Sequence, residues 1–283
     1  MVRHGLTVSF GRRPVPEGDT IFRAATTLGR WMGGRTITAA RTTVASVAAG
    51  ALVGDRLDSV EARAKHLLMR FDSGRVLHTH MRMTGSWHVY SAGEKWQRPS
   101  WQARVVLEAG ERMAVCFNAP VVELLAAGME RAHPAITGLG PDVLVDPLDL
   151  SEVRRRTRAG PERTEIGDLL LDQRVVSGIG NIYRCETLFL GRVHPQRTIR
   201  EIDDATLDRL VMDASRLMRA NARPEACVGR EFGLGPDERW VYGRSGRPCR
   251  RCGSRITSGR MGTQARTAYW CPRCQPRPEC QAT

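Results

Sequence analysis

Two Cys-x-x-Cys pairs, Cys249/Cys252 and Cys271/Cys274, stand eighteen residues apart near the C-terminal end. They constrain the fold more than any other feature. Each pair offers two thiolates from a tight turn, and two pairs supply the four ligands of a closed tetrahedral site, the pattern of structural zinc. Between the pairs, Arg255-Ile-Thr and Thr267-Ala-Tyr-Trp270 predict a β-hairpin that brings them together. One Zn²⁺ held by four cysteines has no open position, so the expected role of the metal is to fold the module and not to do chemistry. Disulfides fit less well. The other cysteines, Cys116, Cys185, Cys227 and Cys280, form no evenly spread framework, and the opening MVRHGLTVSF is broken by Arg3 and His4 where a secretory segment needs an apolar run. A reducing, cytoplasmic compartment is expected.

The 283 residues allow about two domains. No stretch approaches the roughly 18–20 apolar residues that span a bilayer, so no membrane partner is expected. With 43 Lys+Arg against 30 Asp+Glu, the formal charge is +13, which points to a polyanion, most often nucleic acid. Only Lys65 and Lys95 are lysines; the other basic residues are arginines. A GC-rich genome accounts for the skew, but it draws the eye to Lys65, because lysine does proton and Schiff-base chemistry that arginine cannot.

Residues 16–34 predict one helix, with Ile21, Ala24, Leu28 and Trp31 (or Met32) on one face, Asp19 or Thr20 as cap and Gly33-Gly34 as stop. Leu67–Phe71 and Arg75–His80 around Asp-Ser-Gly predict a hairpin, as do Ala103–Leu107 and Met113–Phe117. This describes an antiparallel β-sandwich with a leading helix. After GLGPDVL (138–144) the pattern is helical to about residue 222. Leu207, Leu210, Val211, Ala214, Leu217 and Met218 share a face behind Asp203-Asp204, and segments at Ile166–Gln173 and Ile182–Leu190 bracket a turn. Arg223–Glu238, with three Gly and two Pro, reads as a loop.

Two short motifs carry candidate chemistry. Gly178-Ile-Gly-Asn181 enters a helix, where bare backbone and N–H groups suit a phosphate, although helix connections often contain glycine for purely structural reasons. Pro16-Glu17-Gly18-Asp19 alone is only a helix start. Its partner is Val15, because valine codons include GUG, a bacterial start codon read as Met. Initiation there, followed by removal of Met, would leave Pro16 as a free N-terminal amine.

PEGD, Ala62-Arg63-Ala64-Lys65-His66-Leu67-Leu68 (read as a strand), His80-Met81-Arg82-Met83-Thr84-Gly85, LGPDVL, LLLDQRVVSGIGNIYRCETLF (169–189), VYGRSGRPC (241–249) and ARTAYWCPRCQ (265–275) follow in order. Together they resemble the formamidopyrimidine-DNA glycosylase/endonuclease VIII family from Pro16 to about Gln275. PEGD and Phe117-Asn-Ala-Pro-Val-Val-Glu123 look more like the endonuclease VIII branch. The resemblance implies an α+β multidomain protein: a non-family leader at 1–15, an N-terminal catalytic β-sandwich at 16–135, a helix-two-turn-helix DNA-binding domain at 136–237, a Cys₄ zinc-finger β-hairpin at 238–275 and a tail at 276–283. It implies a monomeric bifunctional DNA glycosylase/AP lyase acting on damaged DNA in the bacterial cytoplasm. Oxidised bases, pyrimidines above all, would be excised through a Schiff base on Pro16, and the strand cut by β,δ-elimination.

By the same resemblance, Pro16 is the nucleophile, Glu17 the acid that protonates the sugar ring oxygen, and Lys65 an assisting lysine that contacts the phosphate. Met83 fills the space left by a flipped base with Arg82 beside it, Asn181 and Arg266 grip phosphate, and Cys249, Cys252, Cys271 and Cys274 hold one structural Zn²⁺. Glu186 matches a family glutamate near the active-site region. Read without the family, Glu17 is a dipole-complementing acid, Lys65 a solubility residue at a strand end and Met83 a buried strand residue. If the residues before Val15 are retained, Pro16 is a blocked imide. The alternative is then a non-catalytic zinc-dependent DNA-binding homologue. A zinc-ribbon adaptor is the weaker third reading, since it needs neither PEGD nor Lys65.

Overall fold

Helix α1 (Gly18–Met32) buries Ile21, Ala24, Ala25, Leu28 and Met32 on one face, as the helical spacing predicts. Of the two candidates for its last apolar position, Met32 is fully buried. Trp31 is half-buried, with the Arg112 guanidinium 4.3 Å from its ring centroid. The cap differs from expectation. Glu17 occupies the cap position, and its carbonyl accepts from the Thr20 and Ile21 N–H groups at 2.9 and 3.1 Å, so Asp19 and Thr20 lie inside the helix. The computed structural model describes residues 15–223, 230–236, 238–262 and 265–277. Residues 1–14 of the leader expected at 1–15, part of the loop expected at 223–238 and most of the tail expected at 276–283 lie outside them. The chain divides into two units between Gly138 and Leu139.

The first unit is a sandwich of two four-stranded antiparallel sheets. Strands β1 (Ala39–Thr42), β2 (Leu57–Arg63), β3 (His66–Phe71), β4 (Val76–His80), β5 (Ser86–Ser91), β6 (Ala103–Ala109), β7 (Arg112–Phe117) and β8 (Val121–Leu125) pair in the orders β1-β6-β7-β5 and β2-β3-β4-β8. Alternation along β3 sends Leu67, Met69 and Phe71 into the core shared with α1, and His66, Leu68 and Arg70 to the opposite face. That second face is covered locally by α2 (Pro134–Thr137), whose Ile136 packs on Leu68 and Val76. Each fully buried Leu or Met here contributes at most roughly 1.5–3 kcal/mol. Both predicted hairpins are present. The stretch Ala62–Leu68 is not one strand, however. Ala64-Lys65 forms the turn between β2 and β3, with Ala64 at φ 55°, a region that β-carbon residues enter at a cost.

The second unit contains α3 (Leu150–Arg158), α4 (Ile166–Leu169), α5 (Asn181–Leu190) and α6 (Asp204–Ala222). The Asp203 carboxylate caps α6 by accepting from Thr206 N–H at 2.7 Å. On the predicted face Leu207, Leu210, Val211, Ala214 and Met218 are buried, and Leu217 is half-buried. The segment predicted at Ile166–Gln173 is helical only to Leu169. Gln173 instead braces the loop before α5, accepting from Gly178 N–H and donating to the Ile179 carbonyl. Strands β9 (Thr257–Met261) and β10 (Arg266–Trp270) form the C-terminal hairpin. It starts later than predicted, because Ile256 bonds back to Gly246 and Arg247 and so closes the first cysteine turn. The α+β architecture read from the sequence is the architecture found.

Candidate active site and nucleic-acid interface

In the first unit, Pro16 directly precedes the cap of α1 and Glu17 is 1% exposed. Pro16 lines a cavity of about 30 Å³ with Thr20, Met81, Met83, Trp87 and Arg98, room for about one water. Met81 and Met83 part company: Met81 is 2% exposed and Met83 51%. Met83 is therefore no core methionine but the tip of the turn after β4. That turn is stiff. Gly85 N–H bonds to the Met81 carbonyl at 2.8 Å, Thr84 Oγ1 donates to the Asn118 carbonyl at 3.1 Å, and Arg82 is held at φ 44° with its N–H on His80 Nδ1 at 3.1 Å. A Cβ on Gly85 would lie 2.8 Å from the Met81 backbone, so only glycine fits there. The turn thus projects Met83, and with it the exposed Arg82, from a fixed base.

Lys65 sits half-buried in the β2–β3 turn beside His66 and His80, whose rings feel its charge. Burial, reinforced by neighbouring cations and imidazoles, pushes His66 down to about 3 and His80 to about 4, so both rings rest neutral. Sequence reasoning missed this group. The available signal was the alternation His78-Thr79-His80, which places both histidines on one face of a strand.

In the second unit, Gly178 at φ 97° and Gly180 lead into α5, and a Cβ on Gly178 would press on Val143 at 3.1 Å. Asn181, the first residue of α5, donates from Nδ2 to the Thr267 carbonyl at 2.9 Å, and its Oδ1 accepts from the fully buried Arg184. These bonds fix the amide orientation and tie Asn181 to β10 next to Arg266. Asn181 and Thr267, distant in sequence, are thereby brought into contact. Arg266 also lines an open cleft of about 890 Å³ with Arg163, Arg174 and Gln173. Glu186 does not reach such a surface. It is fully buried and accepts from the Trp240, Val241 and Tyr242 N–H groups at 2.7, 3.0 and 2.8 Å, anchoring the approach to the cysteines.

The sulfurs of Cys249, Cys252, Cys271 and Cys274 lie within 4.8 Å of one another. Across the pairs, Cys249–Cys274 is 4.0 Å and Cys252–Cys271 is 3.5 Å. A tetrahedron with metal–sulfur bonds of about 2.3 Å has edges of about 3.8 Å. The Arg251 and Cys274 N–H groups point at sulfurs at 3.4 and 3.5 Å, as they do toward thiolates. The four residues fit a metal, and the site packs on α5 through Cys185 and Phe189.

Residues 15–120 match the formamidopyrimidine-DNA glycosylase N-terminal domain, and residues 139–228 the formamidopyrimidine-DNA glycosylase H2TH domain. The chain is 39% identical over 268 residues to a protein named probable endonuclease 8 2 from Streptomyces coelicolor, covering 93% of this chain and 95% of that one. It is 34% identical to a DNA-(apurinic or apyrimidinic site) lyase Nei2 of Mycolicibacterium smegmatis, covering 92% and 99%. Its fold resembles that of Lactococcus lactis Fpg (MutM), solved with DNA containing N7-benzyl-Fapy-dG. The TM-score there is 0.78 at 20% identity, covering 93% of this chain and all of the other. With both domain matches in order and full-length relatives above 30% identity, the chain belongs to the formamidopyrimidine-DNA glycosylase/endonuclease VIII family, on its endonuclease VIII-like side.

Proposed function

We propose that the chain is a bifunctional DNA glycosylase/AP lyase of base-excision repair that excises oxidised bases, pyrimidines above all, using Pro16 as nucleophile. The observation that carries this is Pro16 at the start of α1, followed by the buried carboxyl of Glu17, on the cavity that Met83 overhangs. The family match begins at Val15, directly before Pro16, which supports initiation there. A free α-amine has a reference pKa of about 7.7–8.0, and a helix N-terminus disfavours its protonated form, so much of it is nucleophilic at neutral pH. Pro16 nitrogen bonds to C1′ as the bond from C1′ to the ring oxygen breaks, Glu17 giving that oxygen its proton; the amine N–H proton then leaves with the base, and the freed nitrogen lone pair closes the iminium. A secondary amine yields an iminium with no N–H to lose. The cation persists and acidifies C2′, so elimination expels the strand phosphates in turn. Lys65 assists and contacts phosphate, Arg82 and Met83 enter the duplex where the nucleotide is extruded, and Asn181 and Arg266 hold phosphates. Asn181 keeps a second Nδ2 hydrogen for that contact. The cysteine site would take one Zn²⁺, which supplies a rigid hairpin and no chemistry. The protein acts as a monomer in the bacterial cytoplasm; among the described residues no helix is long and apolar enough to cross a membrane.

Borohydride reduces an iminium and traps the protein on DNA, so it reports the intermediate directly. A protein begun at position 15, with Met in place of Val15, is expected to trap on DNA carrying an abasic site or an oxidised pyrimidine. Trapping by a protein proven to retain residues 1–14 would refute Pro16 as nucleophile and turn attention to Lys65. Absence of trapping in both forms, with DNA binding retained, would favour the non-catalytic homologue.

A further inference from the structure

On the outer face of the β2-β3-β4-β8 sheet, side chains from three elements converge. Strand register sets His78 of β4 opposite Glu123 of β8. Alternation turns both away from α1, since their neighbours Leu77, Val122 and Leu124 belong to the core shared with that helix. The third side chain is His133, directly before α2. Its carbonyl accepts from the Ile136 and Thr137 N–H groups, both at 2.9 Å, and Ile136 packs on Leu68 and Val76 of the sheet. The root of each side chain is therefore fixed.

His78 Nδ1 lies 2.7 Å and His133 Nε2 lies 3.1 Å from the same oxygen, Glu123 Oε2. One ligand atom from each residue falls within 4.8 Å of the other two. Side-chain exposure rises from 1% at His78 through 19% at His133 to 41% at Glu123. The group is thus rooted in the sheet and open to solvent on one side. Among the described residues Glu123 pairs with the two histidines and with no Lys or Arg. Arg70, on the same face, is engaged by Glu61 and Glu130.

Two imidazoles and a carboxylate are the protein ligands of open zinc sites, which keep a fourth position for water. Metal bonds of about 2.0–2.2 Å to nitrogen and oxygen give tetrahedral edges of about 3.4 Å. The two nitrogen–oxygen edges here fall short of that by about 0.3–0.7 Å, a distance the half-exposed Glu123 carboxylate can withdraw. The far ring nitrogens also suit a metal. His78 Nε2 lies 2.8 Å from His66 Nδ1. With Nδ1 on a metal, Nε2 carries the ring proton and donates it to His66, and such an outer partner orients a metal-bound histidine. His133 Nδ1 is buried without a hydrogen-bond partner, so no bond from behind keeps its Nε2 protonated. Nitrogen donors select against Mg²⁺ and Ca²⁺, which take oxygen.

We propose that His78, Glu123 and His133 form a second metal site, separate from the four cysteines, that takes a divalent transition ion of the zinc class with water in its open position. The ion joins β4 and β8 to the segment that covers them. It carries no step of the proposed glycosylase/lyase chemistry, and none of Pro16, Glu17 or Lys65 is among its ligands.

The test uses the whole protein with its cysteine site filled and loosely held metal removed. Calorimetric titration with Zn²⁺ is expected to find one further equivalent. His133→Ala and Glu123→Ala each delete a ligand and should weaken that equivalent by at least about tenfold, the smallest loss expected when even an outer partner of a ligand is removed. Co²⁺ titrated in place of Zn²⁺ should give visible ligand-field bands without the sulfur-to-cobalt absorption of a thiolate site. No further equivalent, or one whose affinity is unmoved in both variants, overturns the site. So does a sulfur-to-cobalt band that grows with the second equivalent. Both substituted side chains are partly exposed, and either variant decides the question if the other does not fold. The readout is metal binding and not cleavage, so an inactive protein counts against the proposed function and leaves this test intact.

Discussion

At the scale of single residues, Glu17 and Glu186 show two uses of a buried carboxyl. Glu17 stands beside the reacting amine in the proposed chemistry. Glu17→Gln is expected to reduce base release by on the order of 10²–10⁴-fold while sparing abasic-site cleavage, where the base is already gone; parallel assays on the two substrates check this. Glu186 instead satisfies three backbone N–H groups. Glu186→Ala leaves them buried and unpaired at about 1–3 kcal/mol for each group that water cannot reach, so a marked fall in the urea midpoint is expected. Pro16, Glu17, Met83, Asn181 and Arg266 became candidates in the sequence because each lies in a short motif that resembles the family's. The contacts of His78 with His66 and with Glu123, at 2.8 and 2.7 Å, were not legible there, because they depend on how β3, β4 and β8 pair. The position of Glu186 in a recognisable helix motif likewise suggested a place near the chemistry, and only the tertiary hydrogen bonds reveal its anchoring role.

At the scale of elements, strand and helix periods were read correctly while their ends were not. The Ala62–Leu68 run was read as one strand, yet Ala64 turns the chain at φ 55°, and no Gly, Pro, Asn or Asp announces it. The β-sheets also carry an acid sensitivity. His66 is lowered to about 3, and His80 and His88 to about 4, chiefly by burial. Unfolded, each titrates near 6.5. Between pH 4 and 6.5 the unfolded chain therefore binds more protons, and stability rises with pH. Above 6.5 this contribution is complete and flat. The melting temperature should hold constant from pH 7 to 8 and fall below 6.5, with a slope of up to about 1.4 kcal/mol per pH unit for each ring. His88→Gln should remove one ring's share, and a melting series by circular dichroism across pH 4–8 measures it.

At the scale of the whole molecule, the two units have hydrophobic clusters of their own. That of the sandwich draws on residues 21–124, and the cysteine cluster on residues 185–274. Removing the metal should therefore separate their fates. The hairpin that carries Arg266 and the Thr267 carbonyl loses its closure, and four sulfurs 3.5–4.0 Å apart across the pairs repel as thiolates. Asn181 loses its partner on β10 in consequence. Chelation is expected to abolish DNA binding and to speed hydrogen exchange in β9, β10 and α5 while β3, β4 and β7 stay protected. Elemental analysis finding no zinc in active protein, or Cys271→Ser with unchanged DNA affinity, would contradict it. In the protein with its cysteine site intact, the phosphate grip can be counted. With a formal charge of +13, log K should fall linearly with log salt, at a slope near −0.9 per phosphate neutralised. Arg266→Ala should weaken binding alike on every sequence and reduce that slope by about one contact. Asn181→Ala, which removes a neutral donor, should weaken binding without changing the slope. A slope unmoved by Arg266→Ala would assign Arg266 to holding the hairpin and not to holding DNA.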